Sequence, residues 1–127
     1  MSVFLGESDD AIAAFEQAMR LSPLDPLIFR AYAGTAYAHF LADRFQEAVI
    51  WSEKSVRQRR YYRPGVRLLA ASNAMAGRQQ ESQRALEALL KLDPDLRVPQ
   101  LKDLLPLRRP EHIAKFEEGM HKAGLPK

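Results

Sequence analysis

The sequence predicts an all-α fold: antiparallel helical hairpins stacked as a solenoid and closed at the C-terminus by capping helices. Three observations predict it. Apolar residues recur at three- and four-residue steps, and no stretch has the two-residue alternation of a strand. One helix pattern is written three times. Aligning Ala11, Ala48 and Ser82 brings Phe15, Ser52 and Leu86 into register, then Ala18, Ser55 and Leu89, then Pro23, Arg60 and Pro94. The offsets are 37 and 34 residues, a period at which self-similarity marks stacked helical hairpins. Pro23, Pro26, Pro64, Pro94 and Pro110, with Gly77 and Gly124, mark where the periodic stretches stop and start.

Composition narrows the function classes. The 127 residues suit one domain, and an apolar fraction of 46% argues against disorder. The chain has no cysteine, which removes disulfides, thiolate nucleophiles and cysteine-ligated metals. No apolar run approaches the ~20 residues that span a bilayer. The stretch Met1–Glu7 lacks a basic leader, so a cytoplasmic location is the expectation. A net charge of +3 is too small to imply nucleic acid by itself.

The elements follow in order. Ser8 is the expected N-cap of the first helix, with Asp9 and Asp10 at the positive end of its dipole. Its apolar stripe is Ala11, Ala14, Phe15, Ala18 and Leu21, and Pro23 ends it. Asp25 and Pro26 open a second helix over 26–42, rich in small and aromatic residues, which implies burial on more than one side. Gly34 and the alanines allow close approach of neighbours. Asp43-Arg44 is a tight turn into a helix over 45–58, whose inward face carries Phe45, Ala48, Val49 and Trp51. Pro64 opens a helix that runs to Ala76, and Gly77 suits a left-handed cap. Residues 79–92 return antiparallel and stop at Asp93-Pro94. A short helix is expected near 100–105, then a rigid linker of Leu107, Arg108 and Arg109 between prolines. A last helix starts at Pro110, passes Ile113, Phe116 and Met120, and ends at Gly124.

These aligned sets resemble the tetratricopeptide repeat family. The hairpin signals add to it: Asp43-Arg44-Phe45 and Gly77-Arg78 before second helices, and Leu21-Ser-Pro23 and Leu92-Asp-Pro94 after them. The resemblance covers residues 8–94. It implies a degenerate repeat domain over 1–94, with a half repeat at 8–23, full repeats at about 26–60 and 61–94, and capping helices over 95–127. Arg60 stands where the family favours proline, Ser52 and Ser55 replace apolar or small residues, and Gln79 replaces an aromatic. The tail from Leu105 to Pro126 resembles the end of rhizobial-type bacterial proteins. In those, a class III adenylate cyclase or a DNA-binding regulatory domain precedes a tetratricopeptide region.

The resemblance implies a non-catalytic interaction or scaffold module with a protein or peptide partner and no cofactor. First helices of such hairpins line a concave face. Here that places Arg30, Ala33, Tyr37, Phe40 and Leu41 opposite Arg67, Leu68, Ala71 and Met75 as partner-binding residues. The carboxylate clamp of chaperone-binding members is not carried over, because Tyr37 stands where asparagine is needed.

Other chemistry is sparse. His39 sits on an apolar helix and reads as a packed core residue. His112 and His121, nine positions apart, point from opposite helix faces and cannot share a metal. Ser52, Ser55, Ser72 and Ser82 have no base or oxyanion loop in view. The basic stretch of Lys54, Arg57, Arg59, Arg60, Arg63 and Arg67, with Tyr61 and Tyr62 interleaved, has two readings. One is an anion or nucleic-acid site centred on Arg59, Arg60 and Arg63. The other is a solvated turn at the negative end of a helix. At the N-terminus the repeat begins with a second helix only, since seven residues precede it. Its far side, with Ile12 and Met19, is expected either to form a homodimer or to be covered by residues 1–7 folding back.

Overall fold

The computed structural model describes residues 3–101 and 110–126, with side chains from Ser8 onward. These residues form six α-helices, one 3-10 turn and no strand. The helices are α1 (Val3–Leu21), α2 (Ile28–Leu41), α3 (Phe45–Gln58), α4 (Arg63–Met75), α5 (Gln79–Leu92) and α6 (Pro110–Ala123); the 3-10 turn is Val98–Gln100. Successive helices pack on one another: α1 on α2, α2 on α3, α3 on α4 and α4 on α5. The turns between α2 and α3 and between α4 and α5 are so short that each pair must run antiparallel.

The turns obey the local chemistry. Gly77 has φ +80° after α4, and Gly124 has φ +109° after α6, both in the left-handed region that glycine enters without strain. Asp43 does the same work at φ +63° in the α2–α3 turn. The Arg44 N–H then donates to His39 O at 2.9 Å, and the Arg78 N–H donates to Asn73 O at 2.8 Å. One turn geometry thus closes both hairpins.

Two boundaries differ from expectation. Helix α1 begins at Val3, so Ser8 lies inside it, and Ser8 is buried rather than capping. Nothing in Val3–Glu7 stops a helix except the weak breaker Gly6, so helix propagates upstream and residues 3–7 extend α1 instead of folding back along it. Asp9 pairs with Arg44, tying α1 to the α2–α3 turn. Helix α2 begins at Ile28, two residues late. Asp25 Oδ1 accepts the Leu27 N–H at 2.9 Å, which stabilises a turn ahead of the helix instead of capping the helix at Pro26. The expected helix near 100–105 and the linker through Arg109 fall outside the described residues beyond Leu101. Leu101 itself is buried.

The aligned small residues sit where helices cross. Ala36, Ala48, Ala70 and Ala71 are wholly buried. A Cβ on Gly34 would stand 2.3 Å from Phe15 Cζ, so the ring of Phe15 on α1 rests directly on α2. A Cβ on Gly65 would stand 2.8 Å from Ser55 Oγ, which sets the approach of α4 to α3. The three serines that break the apolar pattern are all buried and bonded. Ser55 Oγ donates to Phe29 O at 2.9 Å and Ser82 Oγ to Ala70 O at 2.8 Å, so each stitches a second helix to the backbone of its partner. Ser52 Oγ instead donates to Ala48 O at 2.7 Å within its own helix.

Candidate functional site

The face formed by α2 and α4 has the residues expected of a groove, and α6 fills it. The stripe Phe116, Met120 and Ala123 on α6 is buried. Phe116 stacks on Tyr37 with ring centroids 5.6 Å apart and meets Phe40 edge-on at 5.7 Å. Gly119 makes the close fit: a Cβ there would lie 3.0 Å from Ala71 Cβ and 3.1 Å from Phe40 Cζ. Lys115 fastens the helix by donating to Leu41 O at 3.0 Å and pairing with Asp43 at 2.7 Å. Its ammonium thus meets the carbonyl end of α2, where the helix dipole favours a cation. Gln79 Nε2 donates to Lys122 O at 3.1 Å, and the Val98 N–H donates to Pro126 O at 2.9 Å.

The expected partner-binding residues therefore divide. Ala33, Phe40, Leu41, Leu68 and Ala71 are buried in the chain's own core and line no open groove. Met75 is half-buried against that core. The cause is plain: in the folded chain the apolar stripe of α6 occupies that face. Arg30 remains exposed.

Arg67 and Tyr37 are the unusual members. Arg67 is buried, and among the described residues its guanidinium makes no ion pair. Burial pulls its pKa down, an effect that Tyr37 and Asp93 partly offset. The Tyr37 hydroxyl is buried without a hydrogen-bond partner among the described residues. Burial pushes its pKa well above the usual phenol range, against the pull of Arg67. Tyr62 is felt electrostatically by both.

The basic stretch is not one patch. Arg59, Arg60 and Arg63 are exposed. Arg57 pairs with Glu53 at 3.5 Å, and Lys54 sits 4.4 Å from the centroid of Trp51. Arg63 Nη2 donates to Leu92 O at 3.3 Å at the carbonyl end of α5. Arg60 turns towards an apolar cavity of about 300 Å³ bounded by Val56, Val66, Leu69 and Leu92. Arg59 stacks on Phe29, 4.8 Å from the ring centroid, while Phe29 meets Tyr62 edge-on at 4.8 Å. A cavity of about 290 Å³ opens there, lined by Phe29, Arg30, Arg59, Tyr61 and Tyr62. Reading the basic run alone misses Phe29 and Arg30, which arrive from α2.

A third depression, about 550 Å³, lies where α1, α2 and α3 meet, lined by Met19, Pro23, Ile28, Tyr32 and Trp51 with Glu16 and Arg20 at its rim. Beside it the α1–α2 connection exposes Leu21 (76%), Leu24 (93%) and Leu27 (46%). Among the described residues no cluster of three or more His, Cys, Asp or Glu could hold a metal, and no helix is long and apolar enough to cross a membrane. No family model, no curated protein and no solved structure matches this chain.

Proposed function

We propose that the chain is a non-catalytic interaction or scaffold module built of tetratricopeptide-like hairpins, working in the cytoplasm as a regulatory part of a signalling protein. The threefold sequence register and the two hairpins closed by the same turn geometry support the architecture. The partner surface moves away from the α2–α4 face, because α6 already covers it. The observation that carries the reading is the run of leucines at the α1–α2 end of the fold. Leu21, Leu24 and Leu27 stand in solvent beside the depression that Trp51 and Tyr32 floor. Such an apolar patch with a charged rim marks a protein contact. A second copy of the chain is the partner it fits, through a two-fold contact of this end with itself.

Size exclusion coupled to light scattering at micromolar concentration tests it. A mass of twice the 14.4 kDa chain is expected, returning to the monomer in Leu24→Glu and Leu21→Glu. A monomeric parent, or a dimer indifferent to both changes, would refute this surface.

A further inference from the structure

The cavity between the start of α2 and the α3–α4 connection has a chemistry that the interaction reading does not use. Arg30 and Arg59 line it from two different elements, and neither has an ion pair among the described residues. That sets them apart from Arg57, which is spent on Glu53. The walls are aromatic: Phe29, Tyr61 and Tyr62. Tyr61 is 69% exposed, so its ring is free to close over an occupant. Phe29 and Tyr62 are held by their edge-on contact and by the stacking of Arg59. Guanidinium groups hold phosphate oxygens bidentately, and aromatic faces accept a second ring beside them. A space of about 290 Å³ lies at the small end of ligand sites, enough for one ring and one phosphate.

No carboxylate lines the cavity to compete.

We infer that the cavity bounded by Phe29, Arg30, Arg59, Tyr61 and Tyr62 binds a phosphate monoester carried on an aromatic group, the phosphate between Arg30 and Arg59 and the ring against Tyr61 and Tyr62. The inference is independent of the N-terminal contact. Two sources share this chemistry, a phosphotyrosine side chain and a nucleoside monophosphate.

The test is titration of the intact chain, by calorimetry and by amide shifts, with O-phosphotyrosine, AMP, tyrosine and inorganic phosphate. Saturable one-to-one binding of O-phosphotyrosine or AMP, tighter than inorganic phosphate and absent for tyrosine, is expected. Whichever of the two binds more tightly identifies the source. Arg59→Gln and Arg30→Gln should each weaken it about tenfold, the loss of one charge-assisted contact. Arg30 is exposed, so Arg30→Gln should melt with the parent, Arg59→Gln should lose no more than its stacking on Phe29, roughly a few degrees in melting temperature, and Arg57→Gln should bind as the parent does. The inference is overturned if no probe saturates, if inorganic phosphate binds as well as the aromatic esters, or if Arg57→Gln weakens binding as much as Arg59→Gln.

Discussion

Gly119→Ala tests the seating of α6 through the sign of its effect. Glycine inside a helix costs about 1 kcal/mol relative to alanine, so on propensity alone the change stabilises. Packing opposes it. The new methyl would stand 3.0 Å from Ala71 Cβ, 3.1 Å from Phe40 Cζ and 3.4 Å from Ala71 Cα, all inside the contact distance of about 3.5–4.0 Å. Ala71 Cα belongs to the α4 backbone, and both residues are wholly buried, so neither can step aside without moving a helix. Overpacking of this kind costs ~1–3 kcal/mol. The net expectation is a loss of up to ~2 kcal/mol, at about 4 °C in melting temperature per kcal/mol for a chain of this size. Thermal unfolding followed by circular dichroism reads it directly. A rise of several degrees would mean that helix propensity alone governs the site, and that α6 does not lie on α4 and Phe40.

Two further expectations concern the core and pH. Ala48→Leu and Ala70→Leu each force a larger side chain into a fully closed helix crossing and should cost ~1–3 kcal/mol in urea unfolding; parent-like midpoints for both would break the repeat register. His39 is buried with Nδ1 unpartnered among the described residues, and burial, then Arg44, lowers its pKa. The unfolded chain therefore binds the extra proton first as pH falls below about 6.5, so stability rises with pH between the lowered folded value and 6.5. Acidifying from pH 7 to about 5.5 should lower the parent's urea midpoint more than that of His39→Gln; equal losses would show that His39 is not the titrating group.

Much of the helical layout is legible in local chemistry. Gly77 and Gly124 end their helices because only the left-handed backbone lets the chain turn there, and Asp93-Pro94 stops α5 for want of an amide proton. Ser8 misleads for a physical reason: serine before two aspartates makes a good cap, yet it is equally at home in a helix once upstream residues supply the preceding turn. The destination of α6 is not legible. Its stripe of Phe116, Met120 and Ala123 announces one buried face without saying against what, and the residues that complete the fit, Tyr37, Phe40 and Ala71, are far away in sequence. The serines are half legible. Their positions in the repeat mark helix crossings, but whether a hydroxyl there reaches its own helix, as Ser52 does, or the neighbouring one, as Ser55 and Ser82 do, depends on helix separation. The cavity at Phe29 is hidden for a like reason, since Arg30 comes from α2 and Arg59 from the α3–α4 connection.

The bond from Lys115 to the end of α2 has a consequence for synthesis. Its two partners are 74 residues apart. A ribosome adding ~5–20 residues per second needs roughly 4–15 s to cover that distance. During this interval α2 and α3 can pair, and Phe40 can meet Phe45, but Tyr37 and Phe40 both lack the Phe116 ring, and the carbonyl of Leu41 waits in water. The nascent chain thus passes through a stage in which an aromatic surface is open to whatever is near, and it closes only when its own later segment arrives. A chaperone that recognises exposed rings would meet this protein in that interval and lose its grip once Phe116 docks.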